Sequence, residues 1–194
     1  MSKMSEAFKT HVRKFIAISN DELAAVLQYF RTQHVDKKEN LLIEGQVCKS
    51  HYFVRKGILR KFFINEKGVE RTTEFAIENW WMTDHLAYEA ASKTQFYIQA
   101  VEKAELLVIS RDRQEEMLLR HPAMEKYFRG VYQKAYGATQ MRIKFMYDFS
   151  REELYHHFRI SEPEFLQRVP QYLIASYLGF TPEYLSEIRK KSIS

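Results

Sequence analysis

The stretch Gln171-Tyr-Leu-Ile-Ala-Ser-Tyr-Leu-Gly-Phe-Thr-Pro-Glu-Tyr-Leu-Ser-Glu-Ile188 reads as two short helices crossing at a tight turn. Ala175 is small where the helices must touch, and Gly179 stands where the turn needs a positive φ. Ile174, Leu178, Phe180, Leu185 and Ile188 supply the apolar positions that lock the pair. Thr181 suits the cap of the second helix and Pro182 its first position. An ordinary αα-corner needs the same small residue and turn, so the geometry fits both that and a DNA-reading helix-turn-helix. The polar face of the second helix favours the latter. Its expected DNA-contacting set is Thr181, Glu183, Tyr184, Ser186, Arg189 and Lys190. Arg189 and Lys190 suit phosphates or a guanine edge, and Glu183 suits the cytosine amino group. Glu187 would repel the backbone unless it met a base donor.

Upstream, Pro122 opens a long helix expected to run to about residue 148. It carries two neighbouring stripes. One is Met124, Phe128, Val131, Ala135, Ala138, Phe145 and Phe149, with Arg142 as its polar exception. The other is Tyr132, Tyr136, Thr139, Ile143 and Met146. A surface helix needs only one apolar stripe. Two stripes predict burial on two sides, against the helix's own sheet domain and against a second copy. Tyr132, Tyr136, Thr139 and Ile143 are the expected dimer contacts. The alternative is a central helix of a monomer. Ser150 is expected to cap a further helix over 151–158.

Between residues 41 and 110 β-branched and aromatic residues dominate, in short runs broken by turns. Asn65-Glu66-Lys67-Gly68 reads as a hairpin turn with Gly68 at positive φ. Gly45 and Gly57 separate other runs. This spacing predicts a roll or barrel rather than a parallel α/β sheet. Residues 4–30 read as helical, with Ser19 and Glu22 as a capping box before Leu23, Val26, Leu27 and Phe30. Residues 32–40 read as a polar connection. The expected division is therefore 1–121 sensor domain, 122–149 dimer helix and 150–194 helix-turn-helix domain.

Net charge is +5 over 194 residues. Residues 150–194 hold six basic and six acidic side chains, so the excess lies elsewhere. This weakens the electrostatic case for DNA. No apolar run is long enough to span a bilayer, and the first residues lack a signal-like apolar core. With a single cysteine, Cys48, the reading is a reduced, cytoplasmic protein without a disulfide.

The ordered parts resemble the Crp–Fnr, or catabolite-activator-like, regulators. Gly45 and Gly57 are similar to that family's β-roll glycines. Val101 to Ser110 resembles its strand before the helices, and residues 165–191 resemble its short-tailed members. The resemblance covers nearly the whole chain. It implies an α+β fold: a cyclic-nucleotide-binding-like β-roll (double-stranded β-helix) with flanking helices, a long dimer helix and a small helix-turn-helix domain. It also implies double-stranded DNA as partner, a homodimer and a small-molecule effector. The phosphate cassette of nucleotide-binding members reads Gly-Glu-Leu, then Arg and a small residue. Without gaps it falls on Thr83, Asp84, Thr94 and Gln95. The forked cation is missing, and Lys93 offers only a point charge. Trp80, Trp81 and Met82 are bulky where the loop should be tight and would partly fill the pocket. The effector is therefore expected to differ from cyclic AMP, or to be absent. The resemblance puts the helix contacts of such a pocket at Thr139 and Gln140; two arginines typical of the family's recognition helix fall on Pro182 and Glu187, while Glu183 matches.

Two other classes compete. A cupin-like metal enzyme needs clustered histidines with a carboxylate. His11, His34, His51, His85 and His121 are scattered, and His156 and His157 are neighbours that point apart on a helix. No phosphate loop or nucleophile elbow occurs. Neither catalytic residues nor metal ligands are expected, and no cofactor is assigned. A ligand- or protein-interaction module without DNA binding is the third reading.

Overall fold

The structure, a computed structural model, describes residues 6–191. Two short helices come first, α1 (Glu6–Arg13) and α2 (Asn20–Leu27). The strands are β1 (Arg31–Val35), β2 (Asn40–Leu42), β3 (Ser50–Lys56), β4 (Leu59–Ile64), β5 (Glu70–Ala76) and β6 (Trp81–Met82), then β7 (Tyr97–Ala100) and β8 (Ala104–Ser110) after helix α3 (His85–Glu89). The remainder is helical: α4 (Arg111–Arg120), α5 (Ala123–Asp148), α6 (Arg151–Ser161), α7 (Pro163–Arg168), α8 (Gln171–Leu178) and α9 (Pro182–Lys191).

The strands form two four-stranded antiparallel sheets, ordered β1-β8-β3-β6 and β2-β7-β4-β5. This is the expected β-roll within an α+β chain. Its interior is filled by Leu42, Val54, Leu59, Ile98, Leu106 and Val108. The other face of the first sheet is covered by helices. There Phe53, Leu107 and Ile109 meet Phe8, Leu23, Met124 and Tyr127. Both faces of β3 and β8 are thus buried along their centres, which is why Tyr52-Phe53-Val54 and Leu106 to Ile109 are unbroken apolar runs rather than an alternation. Gly57 shows how tightly the roll closes. Its φ is +97°, and a Cβ there would lie 2.7 Å from the Lys103 carbonyl oxygen. Only glycine fits both the conformation and the space.

Three readings change in detail. The stretch 32–40 holds most of β1, paired with β8 over Arg31↔Val108 to Val35↔Ala104. Only Val35 of that strand is buried, so no alternation betrays it. Trp81 and Met82 form β6 rather than a loop. Trp81 packs among the helices and Met82 in the roll, as alternation on a strand requires. At Ser19 half of the capping box forms. Its hydroxyl accepts from the Glu22 N–H at 3.1 Å, while the Glu22 carboxylate lies 3.9 Å from His121. The full reciprocal box is at Ser150 and Glu153. The hairpin at Asn65–Gly68 forms as read, with Gly68 at φ +74°. The helical segment 4–30 begins among residues outside the described ones and breaks between α1 and α2.

Helix α5 runs the length expected. Met124, Phe128 and Val131 of its first stripe are buried. Tyr136, Ile143 and Met146 of the second stripe are half or more exposed, at 66, 50 and 56%. A third core joins the roll to the C-terminal helices: Ile58, Phe75 and Val101 pack with Phe165, Leu173, Ile174 and Leu185.

Candidate functional site

Helix α8 ends at Gly179, which is left-handed at φ 79° and ψ 20°. The Phe180 N–H reaches back to the Ala175 carbonyl at 2.8 Å, closing the turn. Thr181 then accepts the Tyr184 N–H on its hydroxyl at 3.2 Å and so caps α9. Ala175, Leu185 and Ile188 are buried where the two helices cross. The local chemistry of Gly179, Thr181 and Pro182 therefore builds the expected helix pair. Thr181, Glu183, Ser186, Arg189 and Lys190 all lie on the exposed side of α9. Tyr184 differs. Its ring is half-buried, edge-on to Phe180 at 5.5 Å, with the Arg151 guanidinium 5.5 Å above it. Tyr184 thus ties α9 to α6.

Three side chains hold this unit against the roll, and sequence reasoning gave none of them that role. Ser176 on α8 accepts the Thr72 N–H and donates to the Glu70 carbonyl, both at 2.9 Å. Arg168 forks onto Glu78 at 2.8 and 2.9 Å and also reaches Glu102. Glu78 additionally accepts the Gly57 N–H at 2.8 Å. Burial works against the Glu78 carboxylate, but the Arg168 fork and the backbone N–H groups outweigh it and hold its pKa below the ordinary value. Arg142 is the third. From α5 it donates to the Thr73 carbonyl on β5 and to the Tyr177 carbonyl on α8, with its guanidinium 4.0 Å above the Tyr177 ring. One side chain therefore bridges long helix, roll and helix pair. Its only sequence signal was being polar inside an apolar stripe.

Thr83, Asp84 and Thr94 come together, but their polar atoms serve one another and the chain around them. Thr94 donates to Asp84 at 2.7 Å, and Asp84 caps α3 through the Ala87 N–H. Thr83 donates to the Ser50 carbonyl at 2.9 Å and lies 3.3 Å from Cys48 Sγ. All three are buried, whereas Lys93, Gln95 and Gln140 are exposed. The Thr139 hydroxyl donates to the Ala135 carbonyl one turn back at 3.0 Å. A cavity of about 740 Å³ lies instead between α1, β5, α5, α6 and α8. Of the seven residues named for a ligand, only Thr139 lines it. Trp81 does not plug the cassette. Its indole N–H donates to the Tyr127 hydroxyl at 2.8 Å, deep in the helical core.

Three histidines stand in this part of the molecule. His11 Nδ1 shares a hydrogen bond of 2.8 Å with the Tyr127 hydroxyl, its direction set by the imidazole tautomer. Burial first, then Lys14 and Lys134, bring its pKa down to about 4. His51 is fully buried against Trp81, at 4.3 Å between rings, and burial and then His85 hold it well below the ordinary value. Burial lowers His85 too. A histidine kept neutral in the fold but free to protonate when unfolded binds more protons in the unfolded chain. Stability is therefore full above the unfolded value, near 6.5, and is lost as pH falls toward the folded values. The melting midpoint should drop by roughly 5 °C or more between pH 7 and pH 5. Scanning calorimetry at fixed ionic strength checks this, and a flat profile would contradict it.

No group of three or more metal-ligating side chains occurs among the described residues, and no described helix is long and apolar enough to cross a membrane. No family model matches the sequence, and no curated protein matches it significantly. Solved structures do. The c-di-GMP-responsive regulator CLP of Xanthomonas campestris superposes with a TM-score of 0.69 at 15% identity, over 89% of this chain and 91% of that one. FixK2 of Bradyrhizobium japonicum gives 0.68 at 14%, over 84% and 83%. A CooA mutant from Carboxydothermus hydrogenoformans gives 0.67 at 19%, over 86% and 78%. At such identities the likeness is one of fold. The chain has the fold of the catabolite-activator-like regulators: a cyclic-nucleotide-binding-type β-roll joined by a long helix to a terminal helix pair.

Proposed function

We propose that the chain is a DNA-binding transcription regulator of the Crp–Fnr type, working as a homodimer joined along α5. The observation that carries this is the exposed polar face of α9. The pair α8–α9 buries its apolar side and docks α8 on the roll, yet leaves Thr181, Glu183, Ser186, Arg189 and Lys190 on the surface. Cations in the last turn also suit the helix dipole, and Lys191 pairs with Glu152 at 3.5 Å, so the weight rests on Thr181, Glu183, Ser186 and Arg189, a polar face that the fold leaves uncovered. Fold-level analogy adds to this reading but does not by itself assign function. Arg189 and Lys190 approach phosphates or a guanine edge, while Glu183 and Ser186 face the bases. For two such helices to enter successive major grooves, the partner must place them about 34 Å apart. The exposed stripe of α5 supports the pairing, with Tyr132, Tyr136, Thr139 and Ile143 at its centre.

The test is fluorescence anisotropy with duplex DNA across a salt series. Affinity should fall steeply as salt rises. Arg189→Ala with Lys190→Ala should weaken binding by roughly ten- to a hundredfold and flatten the salt slope by about two. Light scattering should show the oligomeric state unchanged. Unaltered binding would mean that another face meets the duplex, or none.

A further inference from the structure

The cavity between roll, α5 and the helix pair combines an apolar wall with cations that lack acidic partners. Its wall includes Trp80, Ala138, Phe145, Phe158 and Leu178. The ring of Phe15 closes one end, seated so close to α5 that a Cβ on Gly130 would fall 2.5 Å from it. Near that end stand Lys14 and Lys134, the latter 4.6 Å above the Phe15 ring. Lys134, Ala138 and Arg142 follow one another at intervals of four, so the backbone positions of the two cations lie about 12 Å apart along the helix with a methyl group between them. Neither lysine nor Arg142 pairs with a carboxylate among the described residues; the two hydrogen bonds of Arg142 go to neutral carbonyls.

The other titratable groups on the wall do not cancel this charge. Glu74 is held by Lys61 at 2.6 Å, and Glu78 by Arg168. His11 and His85 are neutral at pH 7. His157 packs on Phe145 at 4.3 Å. Glu162, also on the wall, has its pKa raised by burial and then by Glu164, which disfavours its charged form. A volume of this size suits one small organic molecule. Cationic groups at its rim and wall without carboxylate partners, exposed Lys14 and Lys134 and half-buried Arg142, favour an anionic one.

We propose that this cavity binds an apolar monocarboxylate, with its carboxylate at Lys14 and Lys134 and its hydrocarbon body along Ala138 toward Phe145 and Phe158. The site is separate from the phosphate cassette: neither Thr83, Asp84 nor Thr94 lines it. Its walls come from both the roll and the helix pair. A bound molecule therefore contacts both at once and favours the docked arrangement over any in which α8 leaves β5. The proposal does not depend on α9 reading DNA, because ligand binding is measured without DNA.

Decanoate is the probe, with decanol and decyltrimethylammonium as neutral and cationic counterparts. Calorimetry, with the emission of Trp80 and Trp81 as a second readout, should give one decanoate per chain. Its affinity should exceed that of either counterpart by at least about tenfold, the scale of one charge-assisted hydrogen bond. Lys14→Ala with Lys134→Ala changes two exposed side chains and should cost decanoate about tenfold while leaving decanol unaffected. Ala138→Phe should block all three, with circular dichroism confirming an unchanged fold. The proposal is overturned by no decanoate binding, by equal affinity for the three probes, or by indifference to the lysine changes. Should Ala138→Phe fail to fold, the lysine pair and the probe series decide alone.

Discussion

On the proposed reading of a DNA-binding homodimer, replacing Tyr136 and Ile143 together by Glu should convert the protein to monomers and lower its DNA affinity by more than about a hundredfold. The reason lies in the asymmetry of α5. Its first stripe is consumed inside the chain by the helical core and the cavity wall. Its second stripe is consumed only in part: Tyr132 packs on His51 and His85, and Thr139 and Met146 line the cavity, whereas Tyr136 and Ile143 are left over. Tyr136 is 66% exposed and Ile143 50% exposed, so neither contributes much to the single chain's fold. Carboxylates there leave the protomer intact but place like charges across a two-fold seam. Two recognition helices on one rigid body act at high effective concentration, and separating them removes a factor of order 10² to 10⁴. Sedimentation velocity and anisotropy on the same samples test both halves of the claim. A persistent dimer would move the seam elsewhere. A monomer that still binds as tightly would remove dimerisation from the mechanism.

How much of this was legible in advance depends on whether the signal was local. The α8–α9 pair was readable because each step has a short-range cause: Gly179 turns the chain, Thr181 caps and Pro182 starts the next helix. The roll was readable from its turns and its β-branched and aromatic runs. Strand β1 was not, since it is held by backbone pairing to β8 and buries only Val35. The candidate DNA face followed from the helix pair and keeps its place on the surface, apart from the ring of Tyr184. The ligand residues named by resemblance come from the 83–95 segment and from Thr139 and Gln140 on α5, and of these only Thr139 lines the cavity between roll and helix pair. Thr83, Asp84 and Thr94 satisfy their own hydrogen-bonding needs. The cavity is assembled from segments as distant as Phe15, Thr73, Ala138 and Leu178. Nothing in a linear pattern brings such residues together. Arg142 falls between these cases, because a cation within an apolar stripe is visible whereas the two carbonyls that receive it are not.

Arg142→Ala should loosen the helix pair from the roll without unfolding either. The guanidinium makes two charge-assisted hydrogen bonds to backbone carbonyls on different bodies and covers the Tyr177 ring. Each such bond contributes about 1.5 kcal/mol or more, so the docked arrangement should lose about 3 kcal/mol, roughly a hundredfold in its population relative to undocked ones. Ser176 and the Arg168–Glu78 pair remain, so docking weakens rather than vanishes. Amide exchange should accelerate in β5 and α8, while the interior strands of the roll, β3 and β8, keep their protection. If DNA requires the pair in another pose, the same substitution raises DNA affinity; if it requires this pose, affinity falls. Either sign identifies which arrangement the duplex selects. Exchange unchanged in both elements would show that the bridge contributes nothing, and that the apolar contacts of Phe75 with Phe165 and Tyr177 hold the two bodies by themselves.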